Sequence, residues 1–173
     1  MSRLRDPVKW GMPQALTCGS RRGAGDTVRS RQRAACAWRN TLPHMPQWSH
    51  TLSVRNARLD EQHIILIELS KELLALLQQA PPTDAPILAA LREFADYARR
   101  HDELEEGLLA ANGCPTLAQH RATHRAGEAA LERWMSEAAS DTLDRRALAM
   151  ALDAWMAHHL TETDMPVKAY LHD

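Results

Sequence analysis

Residues 97–124, YARRHDELEEGLLAANGCPTLAQHRATH, hold the end of one helix, a stop signal and the start of the next. His101 and Glu105 are four apart, which sets them one above the other on a single helix face. Phe94, Tyr97 and Leu108 share that face. Asn112-Gly113 ends the segment, because glycine adopts the left-handed C-cap conformation without steric cost. Thr116-Leu-Ala-Gln119 reads as a capping box that opens the following helix. On it His120 and His124 repeat the four-residue spacing, in a stripe with Leu117, Leu131 and Trp134. The stretch predicts two antiparallel helices, each aiming histidines or a carboxylate from its apolar face.

The same periodicity extends outward from Asn56, with apolar residues every three to four positions and breakers between the runs. A first helix is expected from Leu59 to Gln79, stopped by Pro81 and Pro82, since proline lacks an amide hydrogen and clashes with the preceding turn. The second starts near Asp84 with Pro86 in its first turn, and the third continues to Ala139. Ser140 to Thr142 are expected to cap a fourth that reaches Asp164, its end disturbed by Pro166. Short loops between helices of similar length make neighbours antiparallel, so the fold class is all-α, an up-down-up-down four-helix bundle. His63 precedes Ile67 and Leu74 on the first helix, and His159 follows Leu148, Leu152 and Trp155 on the fourth, so every helix directs a histidine at the core. His158 points away from that face, and His44, His50 and His172 lie outside the motifs. Arg92, Arg99, Arg145 and Arg146 read as solvated charge.

Length and charge bound the rest. A chain of 173 residues suits one domain with a real core. Residues 1–44 carry nine Arg or Lys against Asp6 and Asp26, whereas residues 45–173 carry twelve basic and twenty acidic side chains. The leader, rich in Arg, Gly, Ser and Pro, is expected to be disordered and separate from the bundle, with Met45 a natural start. A transit peptide or a phosphate-binding tail are the other readings of such a segment. The near-neutral total of -1 gives no reason to expect nucleic acid as a partner. Cys18, Cys36 and Cys114 form no C-x-x-C pair and fit a reducing compartment. No run approaches the roughly 18 apolar residues of a membrane span, so a cytoplasmic location is expected.

The histidines acquire meaning as a set. Burying five imidazoles and a carboxylate without partners costs several kcal/mol per group, and a metal centre removes that cost. Imidazole and carboxylate without thiolate suit iron, manganese or zinc, and five histidines exceed the needs of one tetrahedral zinc. Two metals follow. A ferritin-like centre needs Glu-x-x-His on two helices, and no histidine here has a Glu three residues before it. The H-E-x-x-H of zinc proteases is also missing.

Residues 48–171 resemble the hemerythrin family, in particular its single-domain bacterial members. Trp48 and Leu59-Asp-Glu-Gln-His63 are similar to the family's approach to its first ligand. His101-Asp-Glu-Leu-Glu105 corresponds to H-x-x-x-E, His120-Arg-Ala-Thr-His124 to H-x-x-x-H, and His159-Leu-Thr-Glu-Thr-Asp164 to H-x-x-x-x-D. The resemblance implies two iron ions with an oxo or hydroxo bridge, His120, His124 and His159 on one, His63 and His101 on the other, and Glu105 and Asp164 bridging both. It implies a dioxygen pocket lined by Trp155, Met156 and Leu160. Asp102 departs from the family, where an apolar or aromatic residue is frequent, and its expected role is surface solvation. The acid also departs from ideal geometry: His159 and Asp164 stand about 140° apart on a regular helix, which favours Glu162, so Asp164 needs a tightened last turn.

What the resemblance implies for function is reversible dioxygen binding, for storage, delivery or sensing, in a monomer or weak homo-oligomer that could serve an oxygen-consuming enzyme. The alternative is a di-iron enzyme that reduces peroxide or scavenges nitric oxide. It calls for a proton donor near the open position that the resemblance leaves on the iron with two histidines, for which Tyr97 is the one candidate. A third reading makes the metals structural or stored.

Overall fold

The computed structural model describes residues 45–172 other than 80 and 82. The leader expected over residues 1–44 lies outside the described residues. Four α-helices follow one another: α1 (Ala57–Gln79), α2 (Ala85–Ala111), α3 (Leu117–Ala139) and α4 (Arg145–His158). A six-residue π-helical turn, His159–Asp164, continues α4, and a 3₁₀ turn, Met165–Tyr170, continues that. A short 3₁₀ turn, His50–Leu52, precedes α1. α1 packs on α2 and α4, and α2 on α3. Among the described residues there is no strand, and the architecture is a four-helix bundle as the periodicity predicts. No described helix is long and apolar enough to cross a membrane.

The helix ends show which local signals mattered. Asn56 caps α1, its Oδ1 accepting from the amides of Arg58 and Leu59 at 3.1 and 3.2 Å while its Nδ2 donates to the Leu171 carbonyl at 2.9 Å. That second bond ties the start of the first helix to the end of the bundle. Gly113 has φ 68° and closes α2, with the Cys114 amide donating to the Leu109 carbonyl at 2.9 Å, the six-to-one bond of a Schellman motif.

Two caps differ from expectation. Thr116 makes no side-chain cap hydrogen bond, since its Oγ1 lies 3.4 Å from Cys114 Sγ instead. The fourth helix is capped by Asp144, which accepts from the Ala147 amide at 2.9 Å. Ser140 and Thr142 belong to the end of α3, returning their hydroxyls to the carbonyls of Ser136 and Glu137. Hydroxyl and carboxylate caps look alike in sequence, and the left-handed Asp141 (φ 52°) lies among the expected caps, before the true one at Asp144. Arg145, expected to be solvated, instead clasps the start of α2, its Nε 2.7 Å from Asp84 Oδ1 and its Nη1 2.8 Å from the Pro81 carbonyl.

The apolar side chains form two clusters. The larger includes Leu66, Ile67, Leu73, Phe94, Trp134, Leu148, Met156 and Leu160, and the smaller Val54, Leu59, Leu109, Val167 and Leu171. On α1, His63 falls between Leu59 of the smaller cluster and Leu66 of the larger. On α2, His101 and Glu105 fall between Ala98 and Leu109, and the π turn falls between Met156 and Val167. The histidines thus form a polar layer between two apolar ones.

Candidate metal centre

The seven residues singled out in the sequence converge in this layer. His63, His101 and Glu105 are fully buried, and His120, His124, His159 and Asp164 are no more than 5% exposed. Two groups of four have ligand atoms close enough to share a cation: His63, His101, His159 and Asp164, and Glu105, His120, His124 and Asp164. Asp164 belongs to both. His63 Nε2 lies 3.0 Å from Asp164 Oδ2 and His159 Nε2 3.3 Å from it, while Glu105 Oε2 is 2.8 Å from His120 Nε2 and 3.4 Å from His124 Nε2.

How Asp164 reaches the layer is a matter of backbone. In a regular α-helix it would point away from His159, but residues five apart align in a π-helix, whose hydrogen bonds run from i to i+5. The turn is therefore widened, where a tightened one was expected. Glu162, the acid favoured by regular geometry, faces out and lies 3.2 Å from His158 Nδ1 with 68% of its side chain exposed.

Two residues that the sequence reading passed over orient the rings. His101 Nδ1 lies 3.2 Å from Gln62 Oε1, and His124 Nδ1 lies 3.0 Å from Glu106 Oε1. Glu106 is itself held by Arg121 Nε at 2.9 Å. With Nδ1 engaged, each ring turns Nε2 into the layer, as metal-ligating imidazoles commonly do. Gln62 and Glu106 are immediate sequence neighbours of His63 and Glu105, but half-buried polar residues beside a ligand carry no periodic signal.

Electrostatics set the imidazoles against one another. Burial, reinforced by the neighbouring His63, lowers His101 to about 3, and burial with His101 nearby holds His159 well below the usual histidine range. Burial also lowers His63. For His124 burial acts in the same direction, yet the surrounding carboxylates of Glu105, Asp102 and Glu106 outweigh it and raise the ring to about 9. Burial alone would raise Glu105, but the hydrogen bond with His120 and the close approach of His124 hold it well below the carboxylate range. Asp164 is pushed well above its ordinary value by burial and by Glu105.

Nε2 of His63, His101, His124 and His159, Oε1 of Glu105 and both carboxylate oxygens of Asp164 are buried without a hydrogen-bond partner. Such groups cost a few kcal/mol each unless something satisfies them. Their lone pairs converge, so cations of the kind that imidazole and carboxylate prefer fit the layer.

Asp102 is buried and not solvated. Expected at the surface, it is 7% exposed, with its Oδ1 3.6 Å from His124 Nε2, and burial raises its carboxyl to about 8. Being next to His101 on a helix, it faces the α3 side of the layer rather than solvent. It lies on the wall of a pocket of about 140 Å³ with His124, Gly127, Glu128, Leu131 and Trp155.

Trp155, Met156 and Leu160 lie beside the layer. The Trp155 ring stacks on His159 with centroids 4.6 Å apart and planes at 16°, and meets Phe94 edge to face. Met156 and Leu160 are buried in the larger apolar cluster. Trp48 stands 6.1 Å from the His63 ring.

A comparison with curated proteins found no match. The family model described as the hemerythrin HHE cation binding domain matches residues 55–171, which span all four helices and the whole buried layer. The chain belongs to the hemerythrin family, and its buried layer of histidines and carboxylates is a metal-binding site.

Proposed function

We propose that the protein binds dioxygen reversibly at a di-iron centre with an oxo or hydroxo bridge, held by His63, His101, Glu105, His120, His124, His159 and Asp164. The observation that carries this reading is the set of converging, unsatisfied ligand atoms buried between two apolar clusters. Asp164, shared by both four-residue groups, suits a bridging role, while Glu105, the second bridge that the resemblance implies, groups with His120, His124 and Asp164 alone. His159 groups with His63 and His101 and also lies within reach of His124, so it stands at the seam between the two groups of ligands. Two irons, when bound, supply the electrons for reversible dioxygen uptake. The chain does the rest. Gln62 and Glu106 hold two rings in register, and Trp155, Met156 and Leu160 exclude water from the His159 side.

The test is an absorption spectrum of anaerobically reduced protein with quantified iron, recorded before air, after air and after its removal. A visible charge-transfer band that develops with air and vanishes under vacuum, at about two irons per chain, supports the reading. A band that never develops, or that decays once to the ferric state, overturns it.

A second reading, reduction of peroxide or scavenging of nitric oxide, is favoured by the Asp102 pocket. It brings an inward carboxyl and an opening for small molecules to His124, neither of which the sequence showed. Turnover with peroxide or nitric oxide in place of reversible dioxygen binding selects it.

A further inference from the structure

We propose that Asp102 is a third carboxylate ligand of the metal centre, joining the cation held on the His124 side. The inference rests on the metal-binding reading above and adds a ligand to it. Asp102, His124 and His159 form a further group whose ligand atoms all lie within 4.8 Å of one another. Because Glu106 occupies Nδ1 of His124, Nε2 is the nitrogen that faces the cation, and Asp102 Oδ1 stands 3.6 Å from that same atom. Donor atoms on one cation at ordinary bond lengths lie about 3 to 4 Å apart, so the two can share a metal without rearrangement.

No neighbouring polar group hydrogen-bonds the inward oxygen of Asp102. Its Oδ1 is buried with no hydrogen bond, and so is His124 Nε2. Buried polar atoms without a hydrogen bond are costly, and a shared cation would satisfy both. The group of Glu105, His120, His124 and Asp164 offers four ligand atoms, and with the bridging oxygen of the proposed centre one position of a six-coordinate cation would be left. Asp102 fills it. A third carboxylate also brings the charge of the ligands closer to that of two divalent cations, which strengthens binding and favours hard ions.

The test compares the full-length wild type with Asp102→Asn and with Glu103→Gln, whose side chain is on an exposed position of the same helix. Each metal-free protein is titrated anaerobically with Co²⁺ against a chelator, reading both affinity and d–d absorption, with far-UV circular dichroism to establish folding. The expected result is two Co²⁺ per chain in wild type and Glu103→Gln. Asp102→Asn keeps its helical spectrum, holds one Co²⁺ as tightly as before, binds the other at least tenfold more weakly, and gives a more intense band because the weakened ion has lost a ligand. Equal affinity at both positions with an unchanged band overturns the assignment. Loss at both positions with an unchanged band shape overturns it too, since that marks an effect on ring orientation alone. Wild type that binds no Co²⁺ overturns the metal-binding reading itself, an outcome distinct from the other two.

Discussion

Replacing Gly127 by alanine tests whether the Trp155 ring is held where the structure puts it. A Cβ at Gly127 would lie 2.9 Å from Trp155 Nε1, closer than real contacts allow, with Cδ1 and Cε2 at 3.8 and 3.9 Å. The ring has little room to retreat, because it stacks on His159 at 4.6 Å and meets Phe94 at 5.4 Å. Alanine in place of glycine within a helix gains about 1 kcal/mol, while overpacking of this kind costs about 1 to 3 kcal/mol. The sum is a net loss of about 1 kcal/mol, or roughly 4 °C in Tm. Gly107→Ala is the matching control, since nothing lies within 4 Å of its added Cβ, and it should stabilise by about 0.5 to 1 kcal/mol. Urea unfolding of the two metal-free variants, followed by circular dichroism, should therefore give shifts of opposite sign. The strain passes through Trp155 to His159, so Gly127→Ala should also weaken Co²⁺ binding while Gly107→Ala leaves it unchanged. Equal stabilisation by both substitutions, with unaltered Co²⁺ binding, would refute the claim that Trp155 is wedged between Gly127 and His159.

Two neighbouring histidines of the metal-free protein should titrate in opposite directions. His101, lowered to about 3, is neutral in the folded state while the unfolded ring protonates near 6.5, so its contribution is present above 6.5 and is lost as pH falls toward 3. His124, raised to about 9, contributes fully below 6.5 and loses that contribution as pH rises through 9. Each group has a limiting slope of about 1.4 kcal/mol per pH unit inside its window. Histidine ring resonances in the metal-free protein should show His101 still neutral at pH 5 and His124 still protonated at pH 8; a common titration near 6.5 would show that burial and Glu105 do not act as described. Metal uptake at pH 7 should release the His124 proton, measurable in weakly buffered solution. Asp84→Ala removes the acceptor of Arg145 Nε and Nη2, at 2.7 and 2.6 Å, at the junction of α2 and α4. It should cost about 1 to 3 kcal/mol in chemical denaturation and leave metal binding intact, whereas a neutral effect would mark the clasp as incidental.

The sequence by itself determined the bundle and the identity of its polar layer. Apolar residues at helical spacing, with Pro81 and Gly113 as breakers, are enough to specify four antiparallel helices, because each helix must bury one stripe and short loops leave few ways to do so. The spacing of His101 and Glu105, and of His120 and His124, places each pair on a single stripe, so their inward direction is a property of the chain alone. The caps were only partly legible. Thr116 and Ser140 look like N-caps, but Thr116 turns its hydroxyl to Cys114, and Asp144, beyond the positive-φ Asp141, caps the fourth helix. What only the tertiary structure decided lies where regular periodicity fails or where a long-range contact is needed. Asp164 enters the layer through a π turn, which no three-to-four residue pattern encodes. Asp102, beside a ligand and at an angle that reads as peripheral, is buried because α3 packs over that edge of α2 and brings His124 against it. Gln62, Glu106 and the Gly127–Trp155 contact likewise join residues from different helices. Helical spacing fixes which way a side chain leaves its own helix; what it meets there is set by the packing of the others.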